Sequence, residues 1–327
     1  NNGTSGDGHY YALYVSFSYD AVIDSNNIFN NTTSACYAIY NYRNYYGSVK
    51  YNTIRYQGTS SLYAIYNYYS DFSDVSYNRI ENCNSALIYA IYSYYPKNAT
   101  YTGNIIRNNS STSTTYYIYS YYTQSSTFSN NIVENNVSSS TQYLAYAYYG
   151  NSATFINNTF RNNMNTGAST TVYGIYVYYH PNAVILNNTI SGLTVQNTVS
   201  GIYIYSGSTS TTSNNAIISN NLVENITRIS TTSTALAAGI NIGTNANNLT
   251  ITNNIIRNIN DASPQITPSN AFSGLRISGS TGHTIAYNTV DLSGTYLSMS
   301  PTASAAFSIA TTNLASCVIK NNTFSNS

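Results

Sequence analysis

Residues 153–163 read Ala-Thr-Phe-Ile-Asn-Asn-Thr-Phe-Arg-Asn-Asn, with Asn158 placed between the large apolar Phe155 and Phe160. The core of this stretch is an Asn, any residue, then a large apolar residue. It returns along the whole chain, anchored at Asn27, Asn52, Asn78, Asn104, Asn131, Asn158, Asn188, Asn221, Asn254, Asn288 and Asn322. By subtraction, successive anchors lie 25 to 34 residues apart. A unit of this length cannot bury its apolar face alone, but it can when stacked on its neighbours.

Each unit holds three short strand-like pieces. The first carries a large apolar residue three before the anchor, such as Val49, Val75, Tyr101, Phe128, Phe155 or Ile185. A small residue often stands five before the anchor, as at Ala99, Ser126, Ala153 and Ala183. Residues two apart on a strand face the same way, so this pair points inward. The second piece carries the apolar residue two after the anchor. The third reads Tyr-Ala-Ile-Tyr at 37–40, 63–66 and 89–92, then drifts to Gly-Ile-Tyr-Ile at 201–204. Its inward positions are Ile39, Ile65, Ile91 and Ile118, with Asn41, Asn67, Ser93 and Ser120 beside them. The period is two throughout and no piece is long enough for a helix. The expected fold is all-β: a single parallel β-helix over residues 1–327, with short Tyr-rich coils over 1–205 and longer coils over 206–327. Eleven turns at strand spacing give a rod about 50 Å long.

Charged residues make up only 6% of the 327, and the net charge is +1. Nothing in that balance attracts nucleic acid, and no apolar run approaches a membrane span. Asn, Ser, Thr and 38 Tyr replace the missing charges, and Trp is absent. Cys36, Cys83 and Cys317 occupy different repeat positions, which argues against a disulfide framework. The first residue is not Met and no signal peptide is legible, which reads as a mature protein or a fragment. The lysine-poor polar composition suggests an extracellular surface.

The Asn-x-apolar turn followed by Gly-Ile-x-Ile resembles the right-handed parallel β-helix of the pectate-lyase-like superfamily, over nearly the whole chain. The resemblance implies an asparagine ladder at the eleven anchors. Lyases of that kind hold calcium on Asp residues of adjacent strands, with a nearby Arg as base. Here Asp20, Asp24, Asp71 and Asp74 flank a turn that offers Gly47, Ser48 and Lys50, so the pattern is not matched. No catalytic residue, metal ligand or cofactor is carried over, and calcium is only a weak expectation.

Two sets of columns stand out. One residue past the apolar site lie Arg55, Glu81, Arg107, Glu134, Arg161, Ser191, Glu224, Arg257 and Asp291. This alternation predicts a charge ladder that sets register between turns, since a slipped register would bring like charges together. The tyrosines form the second set. Tyr14, Tyr40, Tyr66, Tyr92, Tyr119, Tyr146, Tyr176 and Tyr203 face outward, and two residues on lie Tyr42, Tyr68, Tyr94, Tyr121, Tyr148, Tyr178 and Tyr205. Flanking columns hold the sets beginning at Tyr37 and Tyr69; the facing of the Tyr37 set stays open because a bend can fall at Ala38. A flat aromatic patch over some eight turns exceeds the few hundred Å² that monomers usually expose. Tyrosine suits a contact face, with a broad ring, a polar tip and few rotamers to freeze.

Function is therefore expected to be structural or adhesive: a fibre subunit or a segment of a surface protein, meeting its own copies, neighbouring surface proteins or glycans. A carbohydrate-binding or polysaccharide-degrading protein is the alternative, and an ice-binding protein the third reading. Neither end shows a polar cap, which fits a longer array or head-to-tail stacking. Asn-x-Ser/Thr sequences such as Asn98, Asn136, Asn225 and Asn248 are mostly chance in so Asn-rich a chain.

Overall fold

The computed structural model describes residues 9–31, 35–207, 213–229, 235–261, 272–292, 304–310 and 315–326. The chain winds as a parallel β-helix. A wide sheet of eleven strands runs from His9–Tyr19 through Ser61–Tyr68 and Thr171–Tyr178 to Ser304–Ile309. A second sheet, also of eleven, stacks three-residue strands from Val22–Asp24 to Val318–Lys320. The third begins at Asn27–Phe29 and ends at Thr323–Ser325. Neighbouring strands are parallel and in register, Phe155 opposite Phe128 and Ile185, Phe160 opposite Val133 and Ile190. These inward residues are fully buried. The loops that lengthen the later coils, including most of Asn260–Asn270, lie outside the described residues.

The corners follow a backbone rule. The residue before each ladder Asn is left-handed: φ is 54° at Tyr51, 55° at Asn130 and 56° at Asn157. Asn adopts this region readily through its short polar side chain. The next Asn then turns inward and joins its equivalents. Asn158 donates its backbone N–H and its Nδ2 to Asn188 Oδ1, both at 2.9 Å, and Nδ2 also bonds the Phe128 carbonyl at 2.9 Å. Asn131 bonds Asn158 in the same way at 3.0 Å. Each rung satisfies backbone groups that the corner strips of sheet partners.

The first rung is Asn26, not Asn27. Asn26 bonds Asn52 Oδ1 through both its backbone and side-chain nitrogens, whereas Asn27 is exposed and pairs with Thr53. The doublet Asn26-Asn27 allows two frames, and the one that reads Phe29 as the inward residue is wrong. Ile28 is buried, and Phe29 is 53% exposed. The other ten anchors all take part in the ladder.

The reading of three pieces per coil also missed a fourth. Four short strands, Ser110–Ser111, Val137–Ser138, Met164–Asn165 and Thr194–Val195, follow a further corner and extend the third sheet to fifteen strands. That corner has its own ladder. Asn109 bonds Asn136 and Asn136 bonds Asn163, with the amide of Cys83 feeding Asn109 Oδ1 at 2.9 Å. The signal was present: the doublets Asn130-Asn131 and Asn157-Asn158 are each repeated five residues on. Leu193, Ile226 and Ile259 later occupy this buried position, so packing replaces the hydrogen bonds there.

Inside the early coils the core is partly polar. Asn41 donates to Asn67, which donates to Ser73 and to the Tyr101 hydroxyl, each at 2.8 Å. Cys36 and Cys83 are free thiols in the interior, and Cys317 is free and half-buried. Tyr117 is also fully buried, and unlike that of Tyr101 its hydroxyl has no hydrogen-bond partner. Replacing it by Phe should raise stability by about 1 kcal/mol, since a desolvated hydroxyl without a hydrogen bond is pure cost. A urea unfolding midpoint below that of the parent would sink this expectation.

Candidate contact surface

The wide sheet carries a bulge. Tyr37, Ile39 and Tyr40 pair with Tyr63, Ile65 and Tyr66, while Ala38 and Ala64 have no pairing partners. Every strand of this sheet makes the same local break at this position, so the register is kept while the two-residue alternation is reset. Tyr37 and Tyr40, three apart, therefore lie on the outer face together, while Ala38 and Ile39 are both buried. This settles the facing that the sequence left open. Later coils place Gly174, Gly201, Gly239 and Gly274 at the bulge. A Cβ on Gly174 would sit 2.3 Å from the Gly201 carbonyl oxygen, so the backbones close up there.

Three tyrosine columns run side by side on this face. From Tyr14 to Tyr203 the central column has ring centroids 4.8–5.2 Å apart. The set from Tyr11 through Tyr37 to Tyr173 stacks at 4.5–5.2 Å. The set from Tyr42 to Tyr205 stacks at 4.8–5.3 Å. A fourth, Tyr69, Tyr95, Tyr122, Tyr149 and Tyr179, stacks at 4.7–5.1 Å along a left-handed corner. Arg43 holds the preceding corner and lies 5.2 Å from the Phe17 and Tyr42 rings. The columns follow directly from in-register parallel pairing, and each stacked pair contributes roughly 0.5–1.5 kcal/mol beyond its burial.

The face covers itself more than the sequence reading expected. Tyr119, Tyr146 and Tyr176 are only 8–9% exposed in the single chain, because neighbouring rings shield them. Their hydroxyls are pushed well above the usual phenol range, by burial first and by adjacent phenols second. Tyr173 and Tyr203 rise to about 12 for the same reasons. The layer is therefore uncharged at neutral pH. At most steps ring faces meet ring faces along the rod, while Tyr40–Tyr66 meets edge-on at 63° and Tyr68–Tyr94 and Tyr121–Tyr148 are tilted by 39° and 47°. At the end of the plane, Tyr205 lies over Gly243, where a Cβ would come 2.6 Å from its ring. Asn241 and Arg276 continue the central column, and Arg276 Nη1 reaches Asn241 Oδ1 at 3.4 Å.

The charge column lies on the third sheet in one register, with Arg107 opposite both Glu81 and Glu134. Its bonds are less regular than the alternation. Glu81 takes Arg107 at 2.9 Å and Arg79 of its own strand at 3.1 Å, Glu134 takes Arg161 at 2.6 Å, and Glu224 takes Arg257 at 2.6 Å. Arg55 sits beside Glu81 in register but lies over the Phe29 and Tyr56 rings, 5.9 and 5.6 Å away. Those two aromatic rings compete for the guanidinium, which is why sign alternation alone misplaces it. Asp291 pairs in register with Arg257. Burial raises the Glu81 carboxyl, but hydrogen bonds from Arg107 and Arg79 outweigh it and hold the group below the usual carboxylate range. Half-exposed pairs of this kind contribute about 0–1 kcal/mol each.

Asp74 is bound by Lys50 at 2.6 Å, and Asp71 accepts the Lys97 amide at 2.9 Å. Among the described residues no three His, Cys, Asp or Glu side chains gather as a metal site. Of the Asn-x-Ser/Thr sequences, Asn136 is buried in the second ladder, whereas Asn98, Asn225 and Asn248 stand exposed at left-handed corners.

A family model described as a right handed beta helix region matches residues 1–160 and again 145–327. Among curated proteins and solved structures, none matches the chain.

Proposed function

Because the chain belongs to the right-handed β-helix family, we propose that it is an extracellular structural solenoid whose tyrosine face is its contact surface. The observation that carries this reading is the uncharged, in-register aromatic layer from Tyr14 to Tyr205. It is built three columns wide on the widest sheet of a chain with 6% charged residues. A flat layer of ring edges suits another ordered protein surface, because a rigid tyrosine loses little side-chain freedom on contact. Sugars stack on ring faces, and at most steps along these columns the faces are already taken by the next tyrosine. That favours a neighbouring copy or another surface protein over a glycan, and a non-enzymatic role. Ice-binding remains the weaker reading, since bulky stacked phenols replace small hydroxylated side chains.

The test is electron microscopy of the purified full chain over a concentration series, beside a Tyr121→Arg, Tyr148→Arg variant. These two rings are half-buried at the outer column. The parent should form ordered assemblies with the face at subunit contacts, and the variant, folded by circular dichroism, should remain single rods. Single parent rods with the face bare, or equal assembly by the variant, would overturn self-association through this face.

A further inference from the structure

One tyrosine pair lies apart from the wide face. The left-handed residues before the ladder asparagines are Ser25, Tyr51, Tyr77, Gly103, Asn130, Asn157, Asn187, Asn220, Asn253, Tyr287 and Asn321. Most coils use residues that suit the left-handed region. A bulky aromatic there is a costly choice, and only Tyr51 and Tyr77 make it in consecutive coils. Their rings stack at 5.3 Å with planes 8° apart, and they are 55% and 49% exposed. The next coil leaves room for them. Gly103 follows Tyr77 in the column, and a Cβ there would lie 2.7 Å from the Tyr77 ring.

The two phenols are held together from below. Tyr51 precedes Asn52 and Tyr77 precedes Asn78, and these asparagines are joined by two bonds of 3.0 Å. The Tyr51 amide also donates to the Ser76 carbonyl at 3.2 Å. Lys50 on one strand binds Asp74 on the next at 2.6 Å, so side chains flanking the corner clamp the same two coils. The pair is thus wet, parallel and fixed in register by the frame.

We propose that Tyr51 and Tyr77 form a dityrosine site: a one-electron oxidant, such as a peroxidase with hydrogen peroxide, couples them covalently across successive coils. Each phenol loses one electron and its hydroxyl proton to give a phenoxyl radical. The two radicals join through ring carbons ortho to oxygen. Each ring then moves its ortho hydrogen to oxygen and becomes a phenol again. One peroxide accepts the two electrons and two protons and leaves as two waters. The product lacks two hydrogen atoms and carries a carbon–carbon staple between coils.

Other exposed tyrosines, including Tyr19, Tyr46, Tyr56 and Tyr287, can also be oxidised, and what sets Tyr51 and Tyr77 apart is that two exposed phenol rings are stacked on each other. Trp is absent. Cys36 and Cys83 are buried, and burial pushes their thiols up to about 11 and 12, which keeps them from the reactive thiolate form. Central face rings such as Tyr92 and Tyr146 have hydroxyls raised by burial, so the proton loss that accompanies oxidation is harder there. The inference goes beyond the contact-face reading and needs no partner.

The test treats an equal mixture of unlabelled and nitrogen-15-labelled full chain with peroxidase and hydrogen peroxide at neutral pH. Dityrosine fluorescence is followed, and cross-linked peptides are mapped by mass spectrometry. The expected product joins the peptides of Tyr51 and Tyr77 within one isotopic chain. It should be about ten-fold or more enriched over the same reaction in urea, through proximity. Tyr77→Phe, with its strand spectrum intact, should abolish this link and spare others. The proposal fails if the link is absent while face tyrosines couple, if folded and urea yields match, or if the link joins mixed isotopes.

Discussion

Asn158→Ala should destabilise the middle of the rod by about 3–5 kcal/mol, as should truncation of any interior rung with the same bonds. The side chain is nearly fully buried, at 1% exposure. Its Oδ1 accepts two bonds from Asn131, and its Nδ2 serves Asn188 and the Phe128 carbonyl. Truncation strips the Asn131 backbone N–H and Nδ2 of their acceptor at a corner that water does not reach. Each buried orphan costs about 1–3 kcal/mol. A β-helix coil contacts only its neighbours, so the loss should be local. Amide exchange should accelerate around Asn131, Asn158 and Asn188 before it does at Ile251. Thr159→Ala, at the start of the strand that follows the corner and with a half-buried side chain, serves as control. A loss below about 1 kcal/mol in Asn158→Ala would show that the corner repairs itself with water or a shifted backbone.

Acid should destabilise the chain well before its carboxylates titrate. His180 and His283 are both buried, and burial lowers each to about 4. His180 occupies an inner corner whose neighbours in the coils on either side are Gly150 and Ser213, and its amide donates to Ser213 Oγ at 3.1 Å. A Cβ on Gly150 would fall 2.7 Å from His180 Nε2, so glycine makes room for the ring. His283 accepts the Leu249 amide at Nδ1, 3.3 Å away, a bond that only the neutral ring can make. Both rings are therefore neutral in the fold. Between about pH 6.5 and 4 the unfolded chain binds more protons than the folded one, and stability falls as pH falls. For His180 alone the window corresponds to about 3 kcal/mol. Urea midpoints at pH 7.5 and 4.5 should differ accordingly, and His180→Gln should reduce the difference while His283 keeps its own share. A midpoint unchanged across that range would show that the His180 site opens to solvent.

How much of this was legible in the sequence differs from residue to residue. The period, the inward Phe155 and Phe160, and ten of the eleven ladder anchors follow from the repeat alone. A residue that recurs once per turn must stack on itself when the turns are in register. Asn26 was hidden because the Asn26-Asn27 doublet satisfies the motif in two frames, and only the buried Ile28 chooses between them. The second ladder at Asn109, Asn136 and Asn163 was written in the repeated doublets, but the apolar periodicity carries no mark of it.

Other features are decided by the folded chain because they depend on how many groups meet in space. The bulge at Ala38 adds one residue to the alternation, and that alone puts the Tyr37 column on the outside beside Tyr40. Arg55 follows the aromatic rings around it instead of the sign of its neighbour. The exposure of Tyr146 is set by rings that sequence places 27 and 30 residues away, Tyr119 and Tyr176. Sequence by itself determined the coil, since local alternation and a strict repeat leave a parallel stack as the way to bury each apolar face. Only the tertiary structure decided what the coil presents to the outside, because side-chain exposure is a property of the packed neighbours and not of the residue.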